Sequence, residues 1–190
     1  ILYPSKSNLQ IIIKNNLDPT IFSESMLNAI IKIATQKTKI HLKIDSGMNR
    51  YGITENEVYN VIRKIKKSKK IKIASIFSHL SSNEKQDRKY AINQIDNFNR
   101  IKDVFSKEFS YKIDSHILSS YGLVNFSIQP HTMVRIGFGL YNGLDNYPLH
   151  HIGELYSQIS QIKNINKGDS VGYNRAFMAQ KDMKIAIIPL

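Results

Sequence analysis

The stretch His41-Leu-Lys-Ile-Asp-Ser-Gly-Met-Asn-Arg-Tyr-Gly-Ile53 decides the reading of this chain. Leu42 and Ile44 alternate with His41, Lys43 and Asp45, the period of two expected of extended backbone. A lysine and an aspartate share one face of that strand, and Gly47 and Arg50 follow in a turn. Charged groups on a strand face, running into a glycine turn that carries an arginine, are unusual for a plain core strand. In a β/α barrel, polar groups at the C-terminal ends of strands are where chemistry is placed.

Working outward, short apolar strands alternate with helical patterns. Ile1 to Tyr3 reads as a strand remnant, and Ser7 can cap a helix carrying Leu9, Ile12 and Ile13. Pro19 to Ser23 is the next strand, followed by a helix burying Met26, Leu27, Ile30 and Ile31. Lys39 to Asp45 is the third. Thr54 and Glu57 then form a capping-box pattern ahead of Val58, Val61, Ile62 and Ile65 at helical spacing. Lys72 to His79 is a strand ending in a histidine. A long helix follows, with Ile92, Ile95, Phe98, Ile101, Val104 and Phe105 on one face. Ile113 to Ser120 and Met133 to Leu140 complete six strands. Strands alternating with helices imply a parallel sheet.

An open doubly wound sheet and a closed barrel share that pattern. No Gly-x-Gly-x-x-Gly and no Walker-type loop is present, so the nucleotide-binding versions lack their signature. Arg50, His79, Ser120 and Arg135 each fall at or just beyond a strand end. Four strands that each deliver a polar group suggest a shared mouth, which favours a barrel. After Asn142-Gly143 and Pro148 the pattern changes. Leu155 to Ile165, Ser170 to Phe177 and Lys184 to Leu190 read as strands joined by turns such as Lys167-Gly168-Asp169, with no helix between them. The expected fold class is α/β: a partial TIM-type (β/α)8 barrel of about six of eight strands over 1–147, then the start of a C-terminal β-domain over 148–190.

Composition narrows the partners. With 190 residues the chain can bury one good core, and 42% hydrophobic with 22% charged residues fits a globular protein. No apolar run approaches the roughly 18 residues needed to span a membrane, and no secretory signal is visible. Cysteine is absent, which excludes disulfides and thiolate metal sites. The net charge of +12 could signal a polyanion partner. The lysines are scattered, however, apart from the run Lys64 to Lys72, and no basic stretch is interleaved with aromatics. Expectation is therefore of a cytoplasmic protein with no nucleic-acid, membrane or metal partner. The chain begins at Ile1 and stops at Leu190 inside an apolar run, so it reads as a window from a longer protein.

Five blocks in order resemble the alanine racemases, which use pyridoxal phosphate. Lys43 to Gly52 is similar to their K-x-D-T-G-M-x-R-x-G signature. Phe77-Ser-His-Leu-Ser-Ser-Asn-Glu84 resembles T-H-F-A-T-A-D-E, and His116 to Ser120 resembles H-x-A-N-S. Met133-Val-Arg-Ile-Gly-Phe-Gly-Leu-Tyr141 resembles M-V-R-x-G-I-x-L-Y-G, and Gly168 to Tyr173 resembles G-x-x-V-S/G-Y-G. The resemblance covers essentially the whole chain, with Ile1 to Tyr3 matching the third barrel strand.

The resemblance implies roles residue by residue. Arg135 faces the pyridine nitrogen of the cofactor; a guanidinium is donor-only, so that nitrogen stays an unprotonated acceptor and the ring a weaker electron sink. Ser120, with backbone groups of Gly137 and Phe138, corresponds to the phosphate clamp. His79 packs near the ring and supports the arginine, while His116 reads as structural. Arg50 holds the substrate carboxylate. Lys43 matches a lysine that is carbamylated in many members, which needs a neutral amine and so a lowered pKa; pairing with Asp45 is the open alternative. Tyr173 matches a catalytic tyrosine contributed by the partner subunit of a homodimer. Racemisation needs groups on both faces of the substrate, and a phenol needs nearby positive charge to act as a base.

The implied activity is interconversion of L- and D-alanine, supplying D-alanine for peptidoglycan in a bacterium. The lysine that binds the cofactor covalently would lie upstream, so the window alone should be inactive. A racemase of another small amino acid such as serine stays open, as does a non-catalytic cofactor-binding barrel or scaffold. Ser46, Asn49, Ser119 and Asn174 depart from the family pattern.

Overall fold

The computed structural model describes the chain except residues 83, 84, 127–130, 142, 143, 145, 146, 151 and 190. The end of the Phe77–Glu84 block, the Asn142-Gly143 break and Leu190 therefore lie outside the described residues. The chain divides into two compact units, 1–150 and 151–190.

The first unit is α/β. In chain order it runs α1 (Leu9–Lys14), β1 (Thr20–Ile21), α2 (Glu24–Ile33), β2 (Thr38–Lys43), α3 (Val58–Ser68), β3 (Ile71–Phe77), α4 (Arg88–Glu108), β4 (Asp114–His116) and α5 (Ser120–Phe126). The strands form one sheet in the order β1-β2-β3-β4, every pair parallel. A helix connects each neighbouring pair, as parallel strands require. Ile40, Leu42, Ile73 and Ile76 of the sheet and Leu27, Ile30, Val61, Phe98 and Phe105 of the helices belong to one buried core.

Local grammar explains the helix starts. The Ser23 hydroxyl accepts from the Met26 N–H at 3.3 Å at the head of α2. Ahead of α3, the Glu57 carboxylate accepts from the Thr54 N–H at 2.8 Å, completing the expected capping box. The α4 face is rotated from the expected one. Ala91, Gln94, Ile95, Phe98, Ile101 and Phe105 are buried, whereas Ile92 is exposed.

Four of the six expected segments are strands. Ile1 to Tyr3 meets the sheet only through Ile1, whose carbonyl accepts from the Thr20 N–H at 2.8 Å and whose nitrogen donates to the Asp18 carbonyl at 2.9 Å. Met133 to Leu140 starts along β4, the Met133 N–H donating to Ser115 and the Arg135 N–H to Leu118. It then leaves the sheet, because the Gly137 and Gly139 N–H groups both turn to the Ser120 hydroxyl. A short 3-10 turn over Phe138–Tyr141 follows. Ser120 opens α5 rather than ending a strand.

The second unit is all-β apart from one turn. β5 (Gln161–Ile165) pairs antiparallel with β8 (Met183–Ile187), and β6 (Ser170–Val171) with β7 (Phe177–Met178). The expected strand Ser170 to Phe177 is broken by a 3-10 turn over Tyr173–Arg175. Asn174 there has φ 58° and ψ 17°. That left-handed conformation favours glycine, and asparagine tolerates it better than most residues. The departure at Asn174 thus keeps the backbone the turn needs, and Asn49, with φ 53°, does the same in the first unit.

Candidate active site

Parallel pairing brings the C-terminal ends of β2, β3 and β4 to one edge, where Lys43, Phe77 and His116 lie in register. A loop descends from each end. His79, Ser120, Arg135, Gly137 and Phe138 line one cavity of about 290 Å³ at this edge, together with Leu2, Ser119, Tyr121 and Ile136.

Arg135 organises the cavity wall. Its Nη2 donates to the Ser78 carbonyl at 2.8 Å and to His79 Nδ1 at 2.9 Å. Nη1 lies 2.6 Å from His116 Nδ1. Guanidinium has no acceptor, so both Nδ1 atoms must be bare and both rings carry their proton on Nε2. Burial, and then the charge of Arg135, push His79 down to about 4 and His116 to about 3, so both are neutral near pH 7. Burial lowers Arg135 itself to about 10, still fully charged there. His116 also stacks on Phe77, with centroids 4.8 Å apart and planes 11° apart. Its contact with Arg135 goes beyond the structural role expected of it.

Ser120 organises the other end. Its Oγ accepts from the N–H groups of Gly137 and Gly139, both at 3.1 Å. A Cβ on Gly139 would stand 3.3 Å from that Oγ and 3.0 Å from Leu144 Cδ1, so a side chain there would press on the serine and the leucine. Gly139 was not singled out by the sequence pattern. Phe138 is exposed and stacks on Tyr121 at 6.0 Å. The Ser120 oxygen accepts both N–H groups and keeps its own hydrogen to donate, which suits a phosphate oxygen, and the Arg135 fork suits an aromatic nitrogen acceptor.

Lys43 is among the most enclosed side chains, only 2% exposed. Its Nζ donates to the Ile44 carbonyl at 3.3 Å and lies 5.7 Å from the Phe77 centroid. Burial lowers its pKa to about 8; Asp45 opposes this, while Arg135 and Arg50 add to it. Asp45 spends Oδ1 on the backbone N–H groups of Gly47 and Asn49, each at 3.0 Å, and so shapes the loop carrying Arg50. Arg50 is exposed, near enough to depress both Lys43 and His79. Among the described residues, Lys43, Arg50 and Arg135 join no ion pair. Three positive charges with no carboxylate at ion-pair distance among the described residues form a site suited to an anion.

Helix α4 pins the loops. The buried Gln94 Oε1 accepts from the Ser81 N–H at 3.0 Å and its hydroxyl at 2.8 Å, while the Tyr90 hydroxyl donates to the Gly47 carbonyl at 2.5 Å. The signal was present: a glutamine on an otherwise apolar helix face needs a buried partner. Tyr173, in the second unit, is 96% exposed. Among the described residues, no group of three or more His, Asp or Glu could hold a metal ion, and no helix is long and apolar enough to cross a membrane.

Comparison with known proteins gives the kinship. The alanine racemase N-terminal domain family matches residues 1–145, and the alanine racemase C-terminal domain family matches 152–190. An alanine racemase of Borreliella burgdorferi strain ZS7 is 33% identical over 196 residues, covering 97% of this chain and 52% of that protein. One from Helicobacter pylori strain Shi470 is 29% identical over 207 residues, covering 99% and 54%. The chain thus spans about half the length of these relatives. The solved alanine racemase from D-cycloserine producing Streptomyces lavendulae superposes with TM-score 0.85 at 16% identity, over 99% of this chain and 53% of that one. The Bartonella henselae enzyme, solved with covalently bound pyridoxal phosphate, superposes with TM-score 0.74 at 22% identity, over 98% and 52%. These likenesses fix the fold as part of a barrel followed by the start of a β-domain, and the two family matches together establish that this chain belongs to the alanine racemase family.

Proposed function

We propose that the protein containing this chain interconverts L- and D-alanine using pyridoxal phosphate, in the cytoplasm of a bacterium and in the service of peptidoglycan. The observation that carries this reading is the Arg135 fork. It is braced by the Ser78 carbonyl and two neutral histidines, and it lines the same cavity as the Ser120–Gly137 donor set. Ser120 and the backbone of Gly137 and Phe138 would hold the phosphate, and Arg135 and His79 the ring.

When bound, the cofactor supplies an electron sink for the carbon that loses its proton. Arg135 donates a hydrogen bond to the ring nitrogen and has no proton to give up at neutral pH, which limits how strong that sink becomes. Arg50 binds the substrate carboxylate. Tyr173 moves a proton at its phenolic oxygen, delivered by a second copy of the chain in a homodimer. Its support is a phenol left facing solvent on a left-handed turn. The assay is D-alanine formation by the full-length product, read with a coupled oxidase. Tyr173→Phe should lower kcat by about 10²–10⁴, the range for a lost proton-transfer group. A folded, cofactor-loaded protein without activity would sink the reading.

Lys43 adds a second test. With a pKa of about 8 it has an appreciable neutral fraction near pH 7.5, a rough working value. That amine can add to CO2 with loss of a proton, leaving a carbamate whose negative charge answers Arg50 and Arg135. The full-length protein in ¹³C-bicarbonate should show a carbamate resonance that Lys43→Arg lacks. Its absence from the parent protein would leave Lys43 an amine.

A further inference from the structure

Ser75 is fully buried in the middle of β3 and has no place in the reaction above. Its hydroxyl stands between two histidines, 2.7 Å from His41 Nδ1 and 3.2 Å from His116 Nε2. The ladder puts Ser75 opposite His41 on β2, while His116 sits opposite Phe77 on β4.

Proton positions along this line are set from its upper end. Arg135 can only donate, so His116 Nδ1 is bare and the proton of that neutral ring is on Nε2, aimed at Ser75. The serine oxygen accepts it, and its own hydrogen is left for His41 Nδ1. His41 then carries its proton on Nε2, 3.9 Å from the carboxylate of Asp18. Every donor points the same way, from Arg135 through His116 and Ser75 to His41. Burial lowers the pKa of both histidines, which keeps them neutral and the direction intact.

Stacking on Phe77 fixes the plane of the His116 ring but does not choose between its two flipped orientations. A flip would exchange Nδ1 for a C–H toward Arg135 and remove the acceptor. The hydrogen bonds at Nδ1 and Nε2 together tell the orientations apart.

We propose that Ser75 and His41 are positioning residues, which hold the His116 ring in the orientation presenting its bare Nδ1 to Arg135, and so aim the guanidinium into the cavity. The consequence for catalysis rests on the reading of Arg135 given under Proposed function. Second-layer hydrogen bonds that fix a histidine's tautomer act in this way in other sites.

The experiment is ¹⁵N NMR of histidine-labelled, cofactor-free full-length protein, paired with kinetics of the loaded enzyme. His116 should show protonated Nε2 and bare Nδ1 in the parent protein. Ser75→Ala should give a second set of His116 ¹⁵N resonances, from the flipped ring, and lower kcat about tenfold with KM within about twofold, the pattern of a lost transition-state interaction. His41→Phe should do the same, and His41→Asn, whose amide oxygen can accept from Ser75, should restore the parent pattern. A single, unshifted set of His116 ¹⁵N resonances in both Ser75→Ala and His41→Phe overturns the inference. Full activity in Arg135→Ala would instead overturn the role given to Arg135, a separate failure because the ring orientation is read without cofactor or substrate.

Discussion

Replacing Arg135 with alanine in the full-length protein is expected to lower racemisation about a thousandfold, at the upper end for removing one preorganised donor. The side chain donates to the Ser78 carbonyl, His79 Nδ1 and His116 Nδ1, and more weakly to the Ile117 carbonyl at 3.3 Å. Alanine strands these acceptors, each at a cost of about 1–3 kcal/mol where water cannot replace the donor. The variant should therefore also unfold at lower temperature. Arg135→Lys keeps the charge but cannot span three directions with one ammonium, so it should resemble the alanine variant more than the parent.

The histidines give an independent reading of the same change. Their folded pKa values, about 4 and about 3, lie below the ordinary 6.5. The unfolded chain therefore takes up protons first, and the stability they contribute is complete above pH 6.5 and drains as pH falls through 4 and 3. Burial is the larger cause and Arg135 the next, so Arg135→Ala should raise both pKa values and narrow that window. NMR titration of the imidazoles checks this. Unchanged titration and unchanged activity together would remove Arg135 from the site.

Gly52→Ala is the second large effect. The chain leaves β2, turns through Gly47 and Arg50, and returns so that the Ile53 N–H donates to the Lys43 carbonyl at 2.8 Å. The Ile53 carbonyl accepts from the Asp45 N–H at 3.0 Å. Gly52 crosses directly over the end of β2 with φ +141°. A Cβ there would stand 2.4 Å from the Asp45 nitrogen and 2.7 Å from the Ile44 carbonyl carbon. Both are backbone atoms at the edge of the core and cannot swing away. Strained φ and overpacking together should cost about 3–5 kcal/mol. Gly47→Ala meets only the Gln94 and Tyr90 side chains, at 3.2 and 3.3 Å, and should cost clearly less despite its φ of +134°. Denaturant unfolding of the full-length variants ranks the two. Equal stability for Gly52→Ala and its parent would refute the close approach.

The alternation of Leu42 and Ile44 with polar neighbours, and the helical spacing of Val58, Val61, Ile62 and Ile65, were sufficient for the parallel α/β unit. Both patterns are local consequences of backbone period, and each forces one face to be covered. The capping box at Thr54 and Glu57 was legible for the same reason. Bringing His79 to the mouth followed from that order, because parallel strands deliver their C-terminal ends to one edge, whereas Ser120 reaches the same edge at the start of a helix and Arg135 on a segment that is not a strand.

Other features depend on what sits across space. Whether Met133 to Leu140 is a strand was decided by the Ser120 hydroxyl, which takes the N–H groups a ladder would have used. The buried face of α4 takes in Gln94, whose partner Ser81 lies on a loop across space, and leaves Ile92 at the surface. The part played by His116 became visible only when Arg135, nineteen positions later, closed to 2.6 Å of its Nδ1. Sequence determined which residue types stand at the mouth of the site, because period and order are encoded residue by residue. Tertiary structure alone decided their protonation and aim, because burial and hydrogen-bond direction arise between segments that no local pattern joins.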